Sequence, residues 1–161
     1  MKSLLATSSR ADGGYWLTRF VSLVASGHRV LDALQAPAAL LARLYVANAF
    51  FSSGLTKLRD WDITLSLFMD EYHVPLLPPE LAAWMGTAGE LVLPVLLVLG
   101  LGGRFAALGL SVVNVMAVLS LSEIAPAALQ QHITWGVLLL TLALYGPGAW
   151  AVDRFINKNG R

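Results

Sequence analysis

Apolar residues run along this chain in four long stretches, separated by short polar or Gly/Pro-rich breaks, at residues 38–58, 81–101, 104–121 and 132–152. A hydrocarbon core about 30 Å thick needs about 20 apolar residues in a helix, so each stretch predicts a membrane-spanning helix. Gly102-Gly103 before Arg104 leaves room only for a tight helical-hairpin turn, which makes the second and third spans antiparallel neighbours. Pro94 removes a backbone hydrogen bond inside the second span and predicts a kink there. Tyr145-Gly146-Pro147-Gly148 is a helix-stop signal for the fourth span, with Trp150 at the interface.

The segments between and before the spans have patterns of their own. Across residues 15–34, Trp16, Phe20, Val21, Leu23, Val24 and Leu31 recur at near-helical spacing, with Arg19, Ser22, Ser26 and Arg29 elsewhere on the wheel. That pattern predicts an amphipathic helix lying on the membrane rather than crossing it, serving as an anchor or as a docking helix. Residues 1–9 lack the apolar core and cleavage site of a signal peptide, so no cleavage is expected. After the first span, Asp60, Asp62, Asp70, Glu71 and Glu80 make an acidic loop. Within it, Ile63, Leu65, Leu67, Phe68 and Met69 predict a short interfacial helix, and Pro75, Pro78 and Pro79 force an extended turn into the second span. The expected fold is an all-α integral membrane protein, a four-transmembrane-helix bundle with an amphipathic N-terminal interfacial helix. Residues 1–37 form the interfacial segment, 38–153 the membrane domain and 154–161 a basic tail.

Composition sharpens this. Of 161 residues, 57% are hydrophobic and 13% charged, about half the roughly 25% charged content of a soluble domain, which excludes a conventional water-soluble fold. Without cysteine there is no disulfide, thiol redox chemistry, thiolate-bound zinc, ordinary iron–sulfur cluster or covalently attached haem c. A net charge of +1 gives no nucleic-acid-binding surface. In a four-span chain, Lys2, Arg10, Arg19, Arg29, Arg104, Arg154, Lys158 and Arg161 fall on one side and only Lys57 and Arg59 on the other. The positive-inside rule then puts both termini in the cytoplasm.

Ionisable groups inside a membrane are costly, so each one is a candidate for function. Arg43, Ala47, Phe50, Gly54 and Lys57 follow one face of the first span, so both cations look to the same side. Glu90 falls near the middle of the second span and is expected to be protonated or paired. Its candidate partners are Arg43, Lys57 and the amides of Asn48 and Asn114. Two readings stay open: a polar chamber that binds a quinone-like or other polar ligand, or relays protons, and a buried bridge that fixes helix register. His132 opens the fourth span, as a solvated helix-start residue or as a proton carrier between the outer face and Glu90. His28, His73 and His132 have no metal-site spacing, and Asp60 with Asp62 reads as a solvated loop, so no metal is expected. Gly100-Leu101-Gly102-Gly103 lacks the preceding strand of a dinucleotide site.

From about Arg43 to Asp153 the chain resembles the DoxX family of small four-span bacterial membrane proteins. Carrying the resemblance are Arg43, Phe50, Gly54 and Lys57-Leu58; Glu90-Leu91 through Gly100-Leu101 to Arg104 and Ala106-Ala107-Leu108; and His132-Ile133, Trp135-Gly136 and Gly146-Pro147-Gly148 before Asp153. The resemblance implies a multi-pass protein of the bacterial inner membrane. The family is named for membrane subunits associated with thiosulfate:quinone oxidoreduction. Other members are linked to oxidative-stress complexes or lie beside genes for modified copper-binding peptides. The expectation is a membrane subunit of a quinone-linked oxidoreductase or redox-stress complex, working with a redox partner. Glu90 would exchange a proton with a quinone oxygen, and Arg43, Lys57, Asn48, Asn114 and His132 would line its chamber. The alternative is a non-catalytic transporter, scaffold or assembly factor, linked to metal or copper-binding-peptide handling. Lipid-facing surface on four short spans is compatible with a homo-oligomer.

Overall fold

The computed structural model describes residues 9–159, with side chains over 15–156. Every regular element among them is helical: α1 (Ser9–Arg59), α2 (Trp61–Asp70), α3 (Pro79–Leu99), α4 (Gly103–Leu119), α5 (Pro126–Tyr145) and α6 (Val152–Asn159). The chain divides into two compact units, Met1–Ala36 and Pro37–Arg161. In the first unit the side chains from Tyr15 to Gln35 are exposed, and Arg19 stacks over the Tyr15 ring at 5.1 Å. The amphipathic segment and the first span share α1, which continues through Pro37.

In the second unit, α4 packs against both α3 and α5, and α2 packs on α3. α3 and α5 are long and apolar enough to cross a membrane, as is residue range Tyr15–Arg59 of α1. α4, with 17 residues, is a shorter apolar helix of about 25 Å at 1.5 Å per residue. This is an α-helical membrane bundle. Its main core joins Val46 and Phe50 of α1, Leu97 of α3, Ala106, Ala107 and Leu110 of α4, and Leu139 and Leu142 of α5. The alanines admit close helix approach, the usual device where lipid on the outside is as apolar as the core. A second cluster, Phe68 with Ala82 and Ala83, seats α2 on the start of α3. The buried positions of α1 include Arg43, Ala47, Phe50 and Gly54, the face expected from helical spacing.

Turn chemistry sets the ends. Asp60 caps α2 by accepting the Ile63 N–H at 3.0 Å, so this carboxylate closes a helix instead of standing free in a loop. The hairpin between α3 and α4 turns on Gly100 and Gly102, at φ 68° and 56°, rather than on the expected Gly102-Gly103 pair. Gly103 is already the first residue of α4 and is buried, where a Cβ would lie 2.6 Å from Pro147. The fourth span also moves. Pro126, placed where a missing N–H costs nothing, starts α5 six residues before the expected His132, and Gly146 at φ 91° ends it before the expected Val152.

Candidate functional site

The C-terminal halves of α1 and α4 and the N-terminal halves of α3 and α5 converge on a cavity of about 410 Å³, within the usual range of small-molecule sites. α1 contributes Phe50, Ser53 and Lys57, α3 contributes Glu90, α4 contributes Val113 and Met116, and α5 contributes His132 and Trp135. Phe68 of α2 and the segment carrying Tyr72, Val74 and Leu77 also line it. Between Val74 and Leu77 the chain passes through Leu76, a fully exposed residue at φ 67°. Most of the wall is apolar, and its polar groups are few.

The first polar cluster joins α1 to α3. Lys57 Nζ donates to Glu90 Oε2 at 2.5 Å and to Ser53 Oγ at 3.0 Å. Four-residue spacing places Ser53 one turn below Lys57, so the ammonium finds one neutral and one anionic acceptor without leaving its helix face. The Lys57 carbonyl accepts the Thr64 hydroxyl at 2.8 Å, which ties the same turn of α1 to α2. Gly54 makes the approach possible: a Cβ there would lie 2.9 Å from the Leu91 side chain and 3.2 Å from Glu90 Cβ. Glu90 is eleven residues past Pro79, about 16 Å along α3.

The second cluster joins α4 to α5. His132 Nδ1 lies 2.8 Å from Asn114 Oδ1, and Asn114 Nδ2 donates to the His132 carbonyl at 2.9 Å. Because the amide must donate to that carbonyl, its oxygen is the acceptor for the ring, and Nδ1 carries a proton. In the neutral ring, Nε2 is then left as an acceptor. Trp135 packs edge-on to His132 and to Phe50, with centroids 5.0 and 5.6 Å away. Its Nε1 is buried and has no hydrogen-bond partner among the described residues. Tyr72 sits at the same cavity, outside the spans, and burial first, then Glu71 and Glu90, push its phenol above its usual range.

The candidates named from sequence therefore separate. Lys57, Glu90 and His132 line one cavity, with Asn114 buried behind His132. Asn48 is exposed on the outside of α1. Arg43 is fully buried fourteen residues before Lys57, about 21 Å along the helix axis, and is absent from the cavity wall. It donates to the carbonyls of Val98 at 3.0 Å and Trp150 at 2.6 Å, with Leu97 O at 3.5 Å. The Val98 carbonyl is open because α3 ends there, the Leu97 carbonyl also accepts the Gly100 N–H at 3.1 Å, and Trp150 lies in the segment between α5 and α6. Of the two cations on the α1 face, Lys57 meets Glu90 and Arg43 binds backbone. Sequence reasoning passed over Ser53, Tyr72 and Trp135 as cavity groups, although the separation of Ser53 from Lys57 was a readable signal.

The fold and this cavity define a small multi-helix membrane protein with a mostly apolar, sparsely polar pocket. The DoxX family model matches residues 38–123, and the chain belongs to the DoxX family. It is similar to an uncharacterized protein of Haemophilus influenzae, 28% identical over 128 residues that cover 74% of this chain and 83% of that protein. No solved structure matches it.

Proposed function

We propose that this protein is the membrane subunit of a quinone-linked oxidoreductase or redox-stress complex, and that the cavity around Glu90 receives the quinone head as a lipid-borne substrate. The observation that carries this reading is the composition of one wall: apolar side chains from four helices, interrupted by an ion pair, a histidine acceptor and an unsatisfied indole N–H. A ligand with an apolar body and a small polar head matches that distribution.

A quinone takes up two protons with two electrons, and the electrons come from a redox partner. Glu90 holds or passes a proton at its carboxyl, and Lys57 supplies the positive charge that steadies an oxygen gaining electron density. Arg43, committed to backbone carbonyls, is not needed for that step. His132 Nε2, held in its tautomer by Asn114, takes up a proton from water and passes it on as the second proton the quinone requires. The Lys and Arg distribution supports an inner-membrane orientation with both termini in the cytoplasm, residues 1–37 at the interface, and the cavity toward the outer side.

Full-length protein in nanodiscs, titrated with decylubiquinone, tests this. The expected result is saturable quenching of indole emission that is lost in Trp135→Phe and weakened in Glu90→Gln. Quenching no greater than in empty-nanodisc controls carrying free tryptophan overturns it. The Lys57–Glu90 pair between α1 and α3 favours a second reading, a non-catalytic scaffold in which the bridge only fixes register. An empty cavity with unchanged partner proteins in Glu90→Gln supports that one.

A further inference from the structure

The last helix is built differently from the spans. α6 is short and strongly amphipathic: Val152, Phe155 and Ile156 share one side by the helical period, and all three are exposed. Arg154 is exposed as well, and Lys158 adds a second basic position. The one acidic residue, Asp153, is turned inward. Its Oδ1 accepts the Gly102 N–H at 2.9 Å and its Oδ2 accepts the Gly103 N–H at 3.0 Å, while its own N–H donates to the Gly100 carbonyl at 3.1 Å. With that carboxylate spent on the α4 N-terminus, the exposed charge among the described side chains of α6 is that of Arg154.

Those same bonds fix where α6 sits. Gly100 and Gly102 are the turn at which two apolar helices reverse direction, and Tyr145, the last residue of α5, ends at the same side of the bundle. Around this end Phe105 (70%), Tyr145 (84%) and Trp150 (57%) stand exposed, as aromatic side chains do at the headgroup level of a bilayer.

We propose that α6 is an interfacial foot that seats Val152, Phe155 and Ile156 in the headgroup region of an anionic phospholipid surface, with Arg154 on the lipid charges. A basic amphipathic helix tethered at the mouth of a membrane bundle has that surface within reach and matches it in sign. Three apolar side chains on eight residues offer far less than the roughly 800 Å² per partner of a stable protein interface, which argues against a second copy as the occupant.

The chain contains no cysteine, so single labels can be placed on the full-length protein. Phe155→Cys, Ile156→Cys and Asn157→Cys carry a nitrobenzoxadiazole fluorophore in nanodiscs of phosphatidylcholine, with or without phosphatidylglycerol. The expected result is blue-shifted emission at 155 and 156, quenched by shallow doxyl lipids and several-fold less by aqueous iodide than at 157. The contrast should grow with phosphatidylglycerol and lose that growth in the Arg154→Gln/Lys158→Gln background. Equal iodide access at all three positions overturns the proposal. So does protection at 155 that vanishes in discs holding one copy, because a second chain is then the cover.

Discussion

Lys57 Nζ sits 2.5 Å from Glu90 Oε2, and the pair spans α1 and α3 directly above the point where Gly54 lets the two helices touch. Lys57 and Glu90 side chains are 18% and 9% exposed, so each charge depends on the other more than on solvent. Removing one partner strands the other, whereas removing both removes the problem. Glu90→Gln should therefore lower stability by roughly 3 kcal/mol, and Lys57→Leu/Glu90→Leu should recover most of that loss. Thermal unfolding of detergent-solubilised protein followed by circular dichroism reads both. On the proposed function, quinone binding should weaken in Glu90→Gln and fail in Lys57→Leu/Glu90→Leu although the double variant regains stability, which separates the site from the scaffold.

Helix contact at Gly54 gives a sharper steric test. Gly54→Ala forces a Cβ within 2.9 Å of the Leu91 side chain, and overpacking of this kind costs about 1–3 kcal/mol. Gly27→Ala meets nothing within 4 Å and should be neutral or gain up to about 1 kcal/mol from helix propensity. A common melting series for the two variants checks the contrast; equal shifts would contradict the close approach.

Asn114→Leu leaves the His132 ring without its acceptor. The loss of a buried hydrogen-bonding group costs about 1–3 kcal/mol, and the ring is freed to sample both tautomers. Nitrogen NMR of labelled histidine should show the Nδ1-protonated form in the native protein and a mixture in the variant. A mixed signal in both would remove the tautomer assignment.

Arg43→Lys is not a conservative change here. A guanidinium reaches carbonyls on α3 and beyond α5 at once, and an ammonium on a single point cannot replace that fork. With charge-assisted bonds worth about 1.5–3 kcal/mol each, the loss of one should show as a lower unfolding temperature with quinone binding retained. Loss of binding at full stability would place Arg43 in the site after all.

Tyr72 links stability to alkaline pH. Its folded phenol titrates above the usual value, so in the alkaline range the unfolded chain gives up this proton first and the folded state binds more. Stability is thus unaffected below the unfolded value near about 10 and falls as pH rises past it. The native-minus-Tyr72→Phe difference in phenolate absorbance should titrate late, and Tyr72→Phe should flatten the alkaline loss.

Sequence carried the membrane class, the four apolar helices, the short helix after the first span and the face of α1 that turns inward, because each rests on length or period alone. It could not assign Glu90 to Lys57 over Arg43, since both cations lie on one face and only depth separates them. Depth is set by packing: the Val98 carbonyl at the end of α3 and the Trp150 carbonyl take the guanidinium, and the Gly54 contact brings Glu90 beside Lys57. The start of α5 was misplaced for a related reason. Gln130 and Gln131 weaken the apolar run, yet Pro126 begins the helix regardless of hydropathy, and that extra length draws His132 into a helix interior where Asn114 can reach it. Asp153 was placed at the end of the membrane domain with no role of its own, because nothing local marks a cap fifty residues distant.

The Arg43 contact with Trp150 has a consequence for how the protein is made. The two residues are 107 positions apart, so the ribosome completes the first span long before the carbonyl that receives its buried cation exists. During that interval the guanidinium has water or the insertion machinery as host, then the Val98 carbonyl once α3 is in place, and its set of acceptors is complete only when Trp150 has been delivered. A chain cut short before Trp150 would hold every span in the membrane and still lack the bond that closes the bundle.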